Sequence, residues 1–191
     1  VAERDPVASL LAVVAFTVGK RDVCANVVSR WLNQEPNHPV ARIIAIECAL
    51  AKSDATKADE LLNDLPGDIG GDRVDHLIGL RIESLVDSDR TLEAQKIRES
   101  NSDSIDPCVS AAVIRLMILQ GHLSEAEASF DELSALKGSL SSLGLHLQTG
   151  IFRNLIKSAA LLHRWNDALV LASEVASRLP WNQTSIMQYL T

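Results

Sequence analysis

Aromatic residues are scarce in this chain, at 4% of 191 residues. Strands draw on aromatic and β-branched side chains, so a core left to Leu, Ala, Ile and Val favours closely packed helices over sheets. Turn formers are few as well. Six prolines and nine glycines do not suffice to punctuate an all-β domain of this length. Cysteine is limited to Cys24, Cys48 and Cys108, widely separated and outside any CxxC or Cys/His cluster. That spacing argues against a disulfide framework or a zinc site. It predicts three small buried residues in a reducing compartment, hence a cytoplasmic location.

Long apolar runs are missing too. The longest extends from Val7 to Val18, short of the ~20 residues a bilayer demands, so direct membrane insertion is not expected. Glu3-Arg4-Asp5-Pro6 stands where a secretory signal would carry positive charge, and no small-residue cleavage site follows. The chain begins at Val1 rather than Met, as expected of a processed chain or an excised domain. Excess positive charge is the last absence. The net charge is −7, and the stretch from Asp54 to Asp106 alone holds 14 acidic against 6 basic residues. Neutralising phosphates takes a basic face, so nucleic acid is not an expected partner.

What the sequence has is apolar content, 47%, arranged with helical period. The pattern repeats: a helix of about 14 residues, a short polar break, and a second helix ending near a proline. The predicted units are residues 5–38, 39–72, 73–106, 107–140 and 149–182, with 183–191 starting a capping helix. In the first, Asp5-Pro6 caps the apolar run, Gly19-Lys20-Arg21-Asp22 breaks it, and a second helix reaches Gln34 before Pro36. The second unit places helices at Ala41 to Leu50 and Lys57 to Leu65, stopped by Pro66-Gly67. The third is degenerate, with a break at Asp87-Ser88-Asp89 and a short helix from Thr91 to about Glu99. The fourth begins at Asp106-Pro107 and turns at Gln120-Gly121-His122. A longer helix is expected from Ser139 continuously to His163, and Trp165 to Leu179 completes the fifth unit before Pro180-Trp181-Asn182.

Several of these residues recur in frame: Gly19, Cys24 and Pro36; Ala58; Gly121, Ala126 and Phe130; Trp165, Ala168 and Pro180. The pattern resembles tetratricopeptide repeats, whose 34-residue unit sets a Gly near the hairpin turn, a small residue early in the second helix and a Pro after it. The third unit fits after a shift of a residue or so. The resemblance implies an all-α solenoid of about five antiparallel hairpins, coiled as a right-handed superhelix with first helices lining a concave groove. A weaker likeness, carried by Ala58-Asp59-Glu60-Leu61-Leu62-Asn63-Asp64-Leu65-Pro66, is to the helical repeat region attached to some bacterial thioredoxin-like chaperone proteins. It implies the alternative of a chaperone-like accessory region whose redox or membrane-anchored partner domain lies outside this chain.

Catalytic signatures are not among the motifs. No Gly-rich phosphate loop, HExxH, GxSxG or EF-hand loop occurs. His38, His76, His122, His146 and His163 are isolated from one another, and Asp59-Glu60 and Asp131-Glu132 read as solvated charge rather than acid/base dyads. The expectation is a non-enzymatic module without cofactor, binding a protein or peptide.

In the family the resemblance points to, certain first-helix positions face the groove. Carrying the match across puts Arg153, Asn154 and Lys157 on that side, and Arg115 similarly in the fourth unit. Arg153 and Lys157 are one helical turn apart, hence on one face. Together the four would hold a partner's carboxylate, Arg as a fork, Lys as a point charge and Asn as an amide donor. The arrangement resembles that of chaperone-binding family members, though the full clamp set is not present. The alternative is an ordinary solvated basic face. The same reading lines the groove with Val13, Phe16, Ile43, Glu47, Leu50, Ile118 and Leu119. That lining suits an amphipathic helix, an extended peptide or the array's own terminal helix.

Overall fold

The computed structural model describes residues 11–12, 15, 20–65, 74–140 and 145–178, and every regular element among them is a helix. Leu11, Ala12 and Ala15 are helical. They are followed by α1 (Arg21–Gln34), α2 (Pro39–Ala51), α3 (Ala55–Asn63), α4 (Val74–Asp87) and α5 (Thr91–Ser100). After these come α6 (Pro107–Leu119), α7 (Leu123–Ala135), the short α8 (Lys137–Leu140), α9 (Leu145–Leu161) and α10 (Trp165–Arg178). The expected Asp5-Pro6 cap, the Pro66-Gly67 stop, Pro180-Trp181-Asn182 and the capping helix of 183–191 lie outside the described residues, as do Val13, Phe16 and Gly19. No helix among the described residues is long and apolar enough to cross a membrane.

Three helices, α2, α3 and α6, start at side chains that accept the first unsatisfied backbone N–H groups. Asp106 accepts from the Cys108 amide at 2.7 Å and Asp54 from that of Lys57 at 3.0 Å. His38 does the same for Ala41, with Pro39 at the first helical position. The predicted continuous helix to His163 instead stops at Leu161, because His163 adopts a left-handed backbone with φ of 58°. Its expected junction with the segment before Leu145 passes through residues 141–144, outside the described ones.

One turn geometry recurs along the chain. Ser53, Asp89, Gly121 and His163 all have positive φ, and the residue after each donates to a carbonyl five residues back. The pairs are Asp54 to Ala49 O, Arg90 to Leu85 O, His122 to Met117 O and Arg164 to Ala159 O, at 2.8–3.0 Å. Lys20 makes the equivalent bond to Ala15 O at 2.9 Å. Four residues beyond each donor sits a small side chain: Cys24, Ala58, Ala94, Ala126 and Ala168, every one 0% exposed. A fully buried small residue at that point lets the two helices of a hairpin approach closely. The third unit therefore keeps the same turn, built on Asp89 and Ala94. Only its place in a 34-residue frame is shifted.

The core is a chain of overlapping apolar clusters. Ala12 and Ala15 pack with α1 and α2, then α2 with α3 and α4, then α4 with α5 and α6. The last and largest joins α6, α7, α9 and α10 around Phe130, Phe152, Ile151 and Leu155. Each such side chain contributes about 1.5–3 kcal/mol on burial. The α4 and α6 helices meet most extensively, at a point where a Cβ on Gly79 would lie 2.8 Å from the Cys108 backbone. In a nearest-neighbour stack α9 would touch only α6, α7 and α10. It reaches α4 and α2 as well. Ile151 to Ile156 are six consecutive buried residues, so α9 is enclosed on every side at its middle.

Candidate functional site: a buried charge centre on the inner helices

Within these apolar helices a few charged residues stand out, and the fold brings them together. On α4, Glu83 and Asp87 are four residues apart, and on α9 so are Arg153 and Lys157. Each pair shares one helix face. The faces meet as a two-rung ladder. Arg153 donates through Nε and Nη2 to the two oxygens of Glu83, both at 2.6 Å, a bidentate fork. Lys157 Nζ donates to Asp87 Oδ2 at 2.9 Å.

Neighbouring helices complete the centre. From α2, Glu47 accepts from Arg153 Nη1 at 2.7 Å, a contact spanning 106 residues of sequence. From α6, Arg115 donates to Asp87 at 2.5 Å and to Asn154 Oδ1 at 3.1 Å. Asn154 in turn donates to Glu83 Oε2 at 2.9 Å and to the Gly150 carbonyl. His76, at the start of α4, brings Nε2 within 3.5 Å of Glu47 Oε1 and Nδ1 within 3.0 Å of Cys108 Sγ. Glu47 also needs room on its α9 side, since a Cβ on Gly150 would lie 2.8 Å from its Oε1.

Three carboxylates and three cations thus balance. Arg153 is 1% exposed, Glu47 0% and Glu83 1%, so the pairing takes place away from water. Burial pushes the Glu83 carboxyl up, and the Arg153 guanidinium more than reverses this, leaving it at about 2. Glu47 behaves alike: burial opposes ionisation, while Arg153 and the neighbouring His76 imidazole carry it below the ordinary range. Burial lowers the Lys157 ammonium against the pull of Glu83 and Asp87. The Cys108 thiol is pushed well up by burial and by the nearby carboxylates. The Arg153 fork on Glu83, its bond to Glu47, the Lys157–Asp87 pair and the Arg115–Asn154 bond together tie α9 to α2, α4 and α6. Among the described residues no group of three His, Cys, Asp or Glu side chains is arranged to hold a metal.

All four sequence-predicted site residues, Arg115, Arg153, Asn154 and Lys157, lie in this centre, and they do hold carboxylates. The carboxylates are the chain's own. The solvated basic face is corrected by burial, since only Lys157 keeps appreciable exposure, 18% of its side chain. Of the predicted groove lining, Ile43 and Leu50 are buried, Glu47 sits in the centre, Ile118 is half-buried and Leu119 is exposed. Glu83 is absent from the expected site, while Asp87, expected in a break, ends α4 and His76, expected as an isolated histidine, is buried beside Glu47 and Cys108. For Glu83 and Asp87 the sequence carries a signal: a carboxylate pair at helical spacing in a mostly apolar stretch, the counterpart of Arg153 and Lys157. The Asp59 and Asp131 carboxylates are not purely solvated. They accept from Arg90 and Arg164, each in the turn of the following hairpin.

A second feature lies between α5 and α7, over α6. There a cleft of about 320 Å³ is lined by Arg98, Ile105, Val113, Met117, Leu133 and Leu136. It adjoins another of about 290 Å³ that shares Arg98, Ser104, Ser110 and Val113. Ile105 is 94% exposed at its rim. Arg98 makes no ion pair among the described residues. The chain matches no family model, no curated protein and no solved structure.

Proposed function

We propose that the protein is a non-enzymatic interaction module or scaffold, a tetratricopeptide-like α-solenoid of about five antiparallel hairpins that binds a segment of another protein. The recurrence of one turn and one small buried residue at five places supports the repeat reading. A right-handed superhelix with the first helices inside accords with α9 lying against α2, α4 and α6. Cytoplasmic location is part of the reading, supported by three buried thiols.

An inner groove would suit an amphipathic helix, but α9, itself a first helix, packs against α2 and α4 on that side. Its cations are taken by Glu47, Glu83 and Asp87, so a partner is assigned to the outer cleft. The observation that carries this is that two exposed apolar side chains, Ile105 and Leu136, line one cleft with the apolar walls of Val113 and Met117 and the cation of Arg98. The partner is a peptide segment that seats an apolar side chain in the cleft and a carboxylate on Arg98.

The test presents acidic-hydrophobic peptides to the intact chain and follows fluorescence anisotropy for Ile105→Asp, Arg98→Ala and Lys157→Ala. Loss of at least tenfold in affinity for the first two, with Lys157→Ala unchanged, supports the outer cleft. Binding that survives Ile105→Asp but fails in Lys157→Ala relocates the partner to the inner groove of Arg115, Arg153, Asn154 and Lys157. No saturable binding of any peptide overturns the reading.

A further inference from the structure

Three cysteines far apart in sequence give two that meet in space. Cys24 on α1 and Cys48 on α2 place their sulfurs 3.2 Å apart, the Cys48 thiol donating to Cys24. Both side chains are buried, and Cys24 Sγ also donates to the Ala12 carbonyl at 3.5 Å. A disulfide needs the sulfurs at about 2.05 Å, so an approach of about 1 Å closes the bond. Cys108 differs: its sulfur faces His76 rather than a second thiol.

We propose that Cys24 and Cys48 are a reversible oxidation site, closing on reaction with hydrogen peroxide to an intramolecular disulfide that staples α1 to α2. The inference stands apart from the partner-binding reading. It rests on the juxtaposed sulfurs, on their common burial, which favours a small neutral oxidant, and on the contact between the two helices.

The two thiols are not equivalent. The hydrogen bond from Cys48 lowers the Cys24 thiol below its ordinary range, against burial and with help from the Lys52 charge. Cys24 is therefore the attacking sulfur, since the thiolate is the nucleophile. It forms a bond to one peroxide oxygen as the O–O bond breaks, giving Cys24 sulfenic acid and hydroxide, which takes up the thiol proton as water. Cys48 then attacks Cys24 Sγ, forming the S–S bond and breaking S–O. The hydroxyl leaves with the Cys48 proton as a second water. Two thiols and one peroxide become one disulfide and two waters, the sulfurs losing two electrons to the peroxide oxygens. The closed loop tethers the second helix of the first unit to the first helix of the second and restricts the unfolded chain.

The test treats the intact chain with hydrogen peroxide, alkylates residual thiols under denaturing conditions and maps peptides by mass spectrometry. A dithiothreitol-sensitive link between the Cys24 and Cys48 peptides, with Cys108 alkylated, is expected, together with a melting temperature raised by several degrees. In Cys48→Ala, Cys24 should stop at the sulfenic acid and be captured by dimedone. Alkylation of both Cys24 and Cys48 after peroxide overturns the proposal, as does a link through Cys108 or a Cys48→Ala protein that gives no dimedone adduct.

Discussion

Replacing Arg153 by methionine keeps most of the side-chain volume and removes the guanidinium that touches both Glu47 and Glu83. The centre then holds three carboxylates against two cations, with Glu47 and Glu83 still out of water. Removing one partner of a buried pair costs about 3–5 kcal/mol, because the remaining charge is left uncompensated. The carboxylate side gives a second route to the size. Glu83 has an ordinary value of 4.5 and sits at about 2 in the fold, a depression worth about 3 kcal/mol. Because the folded value is the lower one, this stability is fully present above pH 4.5 and is lost as pH falls from 4.5 towards 2. Urea unfolding followed by far-UV circular dichroism, at pH values from neutral down through this window, measures both quantities. Arg153→Met should lose about 3–5 kcal/mol at neutral pH. It should also lose the acid-dependent fall, since burial without the guanidinium favours the protonated carboxyl. Adding Glu83→Met should restore part of the loss, because an apolar pair of similar volume has no charge to desolvate. A variant within about 1 kcal/mol of the parent that keeps the same acid slope would refute the reasoning.

Three further outcomes follow from the same geometry. Gly150→Ala puts a methyl 2.8 Å from Glu47 Oε1, and overpacking of this kind should lower stability by about 1–3 kcal/mol in chemical denaturation. Ser53→Gly relieves a left-handed residue with φ of 58°, and thermal melting should show a gain of up to about 1 kcal/mol; a loss would mean the serine side chain stabilises that turn. Asp106→Ala removes the acceptor for the Cys108 amide at the start of α6 and should cost about 0.5–2 kcal/mol, with hydrogen exchange faster in the first turn of that helix.

Much of the local structure was legible in the chain. Asp106-Pro107 and Pro39 start helices where capping chemistry requires, and Cys24, Ala58, Ala126 and Ala168 mark the places where paired helices touch. The third turn falls at the expected break, except that Asp87 still belongs to α4; like Ser53 and His163, Asp89 takes the left-handed position that Gly121 occupies in the fourth unit. An aspartate tolerates that conformation without announcing it. Arg153 and Lys157 were recognised as one helix face for the same local reason. What they hold was not, because Glu47, Glu83 and Asp87 enter from α2 and α4.

Local patterning is enough to show that the chain is helical, where its helices break, and which cations share a face. These depend on φ/ψ preferences, capping and a 3.6-residue period, all set within a few neighbours. That α9 lies against α2 and α4 depends on contacts between helices far apart in the chain. This packing made Arg153 a buried partner of Glu83 and Glu47, and the docking of α2 on α1 brought Cys24 to Cys48. The reason is physical: how helices distant in sequence come to meet is a sum of many small packing rotations, and no local pattern states that sum.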